Sequence, residues 1–254
     1  MEYFVSEKSI VREIWGKGDT ILFIFAGASA EFALNKAVDW LYFTGRLPAD
    51  PLGRLFSTVG YARQIVFYNK EDALRAIDKM RAIHGGVEKA RGAAIPDWAY
   101  RDVLFMLIDY SIRSYELLER TLTLAEKADV FEVFYRVGHR MGIKGLPTTF
   151  TAWEHMRAAH LQQDLEKSRY TTDLYAQYRK HLGFIRYFVL RQAQIMVAPE
   201  RVKQLLLLNK VSVLTPVLTL YKLSRFFNLE WFIKNLLLPP AYKSEIKALD
   251  SHPA

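Results

Sequence analysis

The sequence predicts an all-α fold, a single irregular bundle of about ten helices. Three observations carry this. Apolar residues recur at helical spacing along most of the chain. Strand-like alternation and Asn-Gly or Asp-Gly hairpin signals are missing. Hydrophobic residues make up 51% of the 254 and aromatics 14%, enough for one large core.

The elements follow in order. Thr20 to about Trp40 reads as a helix, apolar almost all round at its start and therefore central. Gly45 to Pro51 reads as a loop, with Pro51 at a helix start. Leu52 to Phe67 is the next helix. Asn69 is placed to cap a helix running to about Lys89. Pro96-Asp97 opens another, to about Arg120. Further helices are expected over Ala125–Met141, Thr151–Glu166 and Thr172–Val197, and Thr151 with Glu154 has capping-box spacing. After Pro199 the chain turns rich in Leu, Phe and Lys, broken by Pro216 and Pro239-Pro240. Residues 201–238 read either as two or three helices closing the bundle or as an amphipathic segment on a membrane; the number of apolar residues favours the bundle. The chain is thus expected to be one domain, 1–254, with 201–254 a C-terminal helical extension packed on it.

Composition narrows the function. With no cysteine, thiolate ligation, disulfides and cysteine nucleophiles are excluded. The net charge of +8 is compatible with an anionic surface, but no run of four Lys/Arg and no nucleic-acid motif is present, so no nucleic-acid partner is expected. The N-terminus is charged throughout and lacks a signal-peptide core. The apolar run Ile21–Ala30 is too short to span a bilayer. A cytoplasmic protein is expected, with peripheral membrane contact left open. Nucleophile-elbow, P-loop and dinucleotide-binding glycine patterns are absent.

Six histidines remain: His84, His139, His155, His160, His181 and His252. No HExxH or paired ExxH is present. His160 and Asp164 share a helix face and read as an ordinary surface contact. His84 shares an apolar face with Ile77 and Met80. It reads either as a core histidine or as a metal ligand. Gly85-Gly86 remove bulk where a flat macrocycle approaches, or simply end the helix. Arg81, three residues earlier, is spaced to reach a carboxylate beside the same face.

Several segments together resemble the oxygenase MpaB family, whose superfamily includes the latex-clearing rubber oxygenases. They are Ala49-Asp50-Pro51-Leu52-Gly53-Arg54-Leu55, Ile65 to Ala73, Met80-Arg81-Ala82-Ile83-His84, Leu107 to Ser111 with Tyr115-Glu116, and Thr151 to Met156. The resemblance covers roughly residues 10–240. It implies an all-helical protein enclosing a b-type haem, with His84 of the R-x-x-H motif as axial iron ligand and Arg81 and Gly85 beside the cofactor. It implies that Arg54 and Thr58 sit distally, with Arg54, Thr58 and Arg81 the catalytic candidates. Latex-clearing proteins read R-x-x-K-T where this chain has Arg54-Leu55-Phe56-Ser57-Thr58, so their lysine ligand is replaced by Ser57 and an open or water-bound distal position is expected. A His-Pro of the first long helix is replaced by Ala28-Ser29-Ala30-Glu31-Phe32. The implied activity is haem-dependent oxygenation of a hydrophobic, isoprenoid-like substrate by dioxygen, with oxidative C=C cleavage the family precedent. A non-oxygenating haem cyclase or isomerase, or a cofactor-free helical lipid-binding module, are the alternatives.

Overall fold

The computed structural model describes residues 2–45 and 49–226. Among them are eleven helices and no strand. They are α1 (Ile10–Trp15), α2 (Gly18–Phe32), α3 (Asp39–Phe43), α4 (Pro51–Phe67), α5 (Lys70–Arg91), α6 (Asp97–Leu118), α7 (Leu124–Met141), α8 (Phe150–Gln163), α9 (Arg169–Val197), α10 (Glu200–Leu205) and α11 (Thr215–Phe226).

The helix ends follow local chemistry. Asp50 caps α4 by accepting from the Gly53 amide at 2.9 Å, and Pro51 takes the first helical position, where no amide is needed. Asn69 caps α5 through the Asp72 amide at 2.9 Å. That helix runs through Gly85 and Gly86 and ends at Gly92, whose φ of 71° is the left-handed conformation a side chain disfavours. Thr123 and Glu126 close a reciprocal capping box on α7.

Three expectations change. The helix expected over Thr20–Trp40 stops at Phe32, because residues 34–36 leave it to pair with 164–166. The Glu166 amide donates to Leu34 O at 2.8 Å and the Lys36 amide to Asp164 O at 3.0 Å. Thr149, not Thr151, caps α8, accepting from the Ala152 amide at 3.2 Å. The long helix α9 is kinked at Gly183, whose φ of 71° and ψ of 177° break the helical path. Short α1, capped by Ser9, is an addition to the expected elements. Of the stretch expected at 201–238, α10 and α11 are seen; residues 227–238 lie outside the described residues. No helix among the described residues is long and apolar enough to cross a membrane.

Central α2 packs on α6 and α9. Gly27 makes the α2–α6 crossing close, since a β-carbon there would collide with the Tyr110 ring and lie 2.9 Å from Val197. The larger core runs from α1 through α8 and buries Trp15 fully, its indole N–H donating to Ser111 Oγ at 3.2 Å. A second core joins the end of α2 to α9 and α10.

Candidate functional site

A cavity of about 600 Å³ opens between α2, α4, α5, α6, α7, α9 and α11. Its wall is overwhelmingly apolar, with side chains such as Phe23, Ile65, Met80, Leu107 and Phe134. Spaces of this size and character bury most of a small organic ligand (roughly 300–1,000 Å³).

His84 stands on this wall. Its Nδ1 lies 2.7 Å from the carbonyl oxygen of Met80, one turn back in α5. That contact calls for an N–H on Nδ1, which leaves the ring's lone pair on Nε2. Metal-ligating histidines are fixed in this way, one nitrogen donating to a backbone carbonyl so that the other keeps its lone pair and orientation. The ring of Tyr100 meets His84 edge-on at 5.4 Å. The Tyr100 hydroxyl donates to Glu88 Oε1 at 3.2 Å, and the Ile95 amide donates to the same oxygen at 2.9 Å. The turn between α5 and α6 is therefore locked around the His84 ring. Burial and neighbouring Glu88 hold the Tyr100 phenol neutral, raising its pKa above the ordinary range.

The other sequence candidates fall in different places. Thr58, on α4, also lines the cavity, in line with Tyr61, Ala62 and Ile65. Arg54 lies one turn before Thr58 on the same helix, and its side chain lies outside what the structure describes. Arg81 is exposed, with its guanidinium carbon 4.0 Å from where a β-carbon on Gly142 would sit, over the C-terminal end of α7. Gly85 is exposed within α5, with open space where a side chain would project. His84 and Thr58 are thus brought to one cavity, while Arg81 and Gly85 lie on the outer side of α5. Arg186 of α9, not singled out by the sequence, supplies a cation to the cavity wall.

A second constellation escaped the sequence reading. His160 is only 3% exposed, which corrects its assignment to a surface contact with Asp164. Its Nδ1 lies 2.6 Å from Asp102 and 3.2 Å from Asp164, and its Nε2 lies 3.1 Å from Glu31. Arg157, one turn earlier on α8, pairs with both oxygens of Glu31 and with Asp109 at 2.9 Å. The Tyr110 hydroxyl donates to Glu31 at 2.9 Å, and Asn35 donates to Asp102 at 3.2 Å. Burial opposes charge on His160, yet its hydrogen bonds to Asp102 and Glu31 prevail and lift its pKa to about 9. Burial would likewise raise the Glu31 carboxyl, but Arg157 and His160 bring it down to about 2. Glu31, Arg157 and His160 are therefore ionised at neutral pH, whereas burial raises the Asp102 carboxyl, and the cluster clamps α2, α6 and α8 together. One ligand atom each from Asp102, His160 and Asp164 lies within 4.8 Å of the others, a spacing that suits a metal ion. However, both imidazole nitrogens face carboxylates, so a proton already fills the role a cation would take.

No curated protein matches the chain. The family model for the catalytic domain of the ER-bound oxygenase mpaB/B' and rubber oxygenase matches residues 15–228. That span contains every residue lining the cavity, from Asp19 to Tyr221. An all-helical chain whose apolar cavity lies wholly inside this match belongs to the mpaB/rubber oxygenase catalytic-domain family.

Proposed function

We propose that the protein is a haem b-dependent oxygenase of a hydrophobic substrate, with His84 the residue that would hold the iron. One observation carries the reading: an imidazole on the wall of a large apolar cavity, its Nδ1 proton tied to the Met80 carbonyl. The residues present fit the cofactor. The apolar wall suits a macrocycle, and Nε2 of His84 suits iron. When bound, the haem supplies the redox chemistry that activates dioxygen.

The chain's own residues supply the rest. Met80 and Tyr100 orient the ligand ring. Thr58 brings a hydroxyl to the cavity wall, where it is the residue proposed to assist the reaction. Arg81 serves the outer side of the ligand helix, where its charge joins that of Arg140 in favouring the ionised Asp78 carboxyl. The apolar wall excludes water and suits an unsaturated hydrocarbon chain, in keeping with the rubber oxygenases of the family.

The test is an absorbance spectrum of the protein expressed with haem supply, beside His84→Ala. A Soret band in the wild type, lost in the variant, is expected. A wild type without the band overturns the haem reading, and a variant with full haem content overturns the ligand assignment. Product formation that proceeds equally without oxygen would favour a cyclase or isomerase instead.

A further inference from the structure

We propose that the face formed by α9 from Arg179 onward and residues 207–222 docks on an anionic phospholipid bilayer. Three independent observations meet there.

The first is exposed apolar surface. Phe184, Ile185, Leu207, Val211, Val213 and Leu220 are each at least 63% exposed. Such side chains are ordinary when scattered; a contiguous set marks an interaction surface. Phe184, Leu207 and Val213 are brought together around one groove. Phe184 and Leu207 line one surface groove of about 290 Å³, together with Phe188 and Arg191. Gln192, in the same groove, accepts from Ser212 Oγ at 2.9 Å and from the Val213 amide at 3.0 Å, which fixes the 211–213 segment against α9. The backbone bends at both edges. Gly183 kinks α9 just before Phe184, and Leu207 has a φ of 53°, the single non-glycine positive value among the described residues.

The second is charge. Residues 179–222 contain eight Lys or Arg and a single Glu, so this stretch holds nearly all of the chain's net +8. Arg179, Lys180 and Lys210 are exposed. A second copy of the same face would bring two like-charged surfaces together. An anionic lipid surface complements the charge and accepts the apolar side chains between the cations.

The third is continuity with the cavity. Val217 is 47% exposed and also lines the cavity, beside Val189 and Leu190 of α9. The cavity wall therefore meets the apolar face at Val217. On the proposed function, this gives a lipophilic substrate a route from the bilayer that avoids water; only this last step rests on that reading.

The experiment is co-sedimentation of the full chain with vesicles of phosphatidylcholine alone or with about 30% phosphatidylserine. Binding is expected to the second kind, to weaken as salt rises, and to fall at least about tenfold in the double variant Phe184→Ser/Ile185→Ser. Arg179→Glu/Lys180→Glu, two exposed substitutions, is expected to weaken it by about tenfold or more. Far-UV circular dichroism of each variant confirms folding, and the charge pair carries the test should the apolar pair fail it. Equal binding to both vesicles overturns the proposal. So does unchanged binding in both variants, which would put the contact elsewhere, residues 227–254 included. A dimer in solution that the variants dissociate, without vesicle binding, would make a second copy the occupant. None of these readouts needs haem or turnover, so failure here and failure of the proposed function are separate results.

Discussion

Raising the pH from 6 to 10 removes the proton that His160 shares among Asp102, Asp164 and Glu31, and the fold should weaken as it goes. The folded pKa is about 9 against an ordinary 6.5. A raised pKa contributes stability that is fully present below 6.5 and lost as pH climbs through 9. The gap corresponds to about 3 kcal/mol. Other groups titrate in this window, so the informative quantity is the difference between wild type and His160→Gln. Removing one partner from a buried ionic cluster costs about 3–5 kcal/mol, so the variant should be that much weaker at pH 6. The difference should shrink by about 3 kcal/mol by pH 10. Urea unfolding followed by far-UV circular dichroism, with both proteins in the same haem state, measures it. A difference that stays flat from pH 6 to 10 would refute the argument that His160 is charged.

Four further outcomes are expected. His84→Ala abolishes the Soret band, while Thr58→Val keeps it and lowers turnover about 100-fold if the hydroxyl assists the reaction; haem content against activity separates the two. Gly27→Ala forces α2 away from Tyr110 and costs about 1–3 kcal/mol, read as a lower urea midpoint. The Phe184→Ser/Ile185→Ser variant loses vesicle binding but keeps its unfolding midpoint, because neither side chain is buried.

Where local sequence decides structure, the sequence was readable. Asn69, Pro51 and Pro96 mark helix starts because their chemistry acts within one turn. His84 was readable as a candidate because its apolar face, set by Ile77 and Met80, is local to α5. The break after Phe32 was not readable, since its cause is pairing with residues 164–166, far along the chain. The buried cluster was hidden for the same reason. Glu31 looks like an intrusion in an apolar helix, and His160 with Asp164 looks like a solvated pair. Only the fold sets Arg157 on Glu31 and Asp102 on His160. The one legible hint was an acidic residue within the most apolar helix, where an unpaired charge would be intolerable.

Asn35 shows why the cluster and the cavity belong together. It lines the cavity, donates to Asp102, and accepts from the Ala37 amide at 2.8 Å in the turn that ends α2. A large apolar cavity has no packing across it to resist collapse; its shape must be held from outside. Hydrophobic contacts alone tolerate sliding, because they are not directional. The bonds from Arg157 and His160 to Glu31, Asp102 and Asp109 fix the register of α2, α6 and α8 along one side of the space. Elsewhere on the wall, the Met80 carbonyl and the Tyr100 ring fix His84. In this view the ionic cluster performs no chemistry. It holds the cavity wall rigid, so that the space stays open for the ligand of the proposed function.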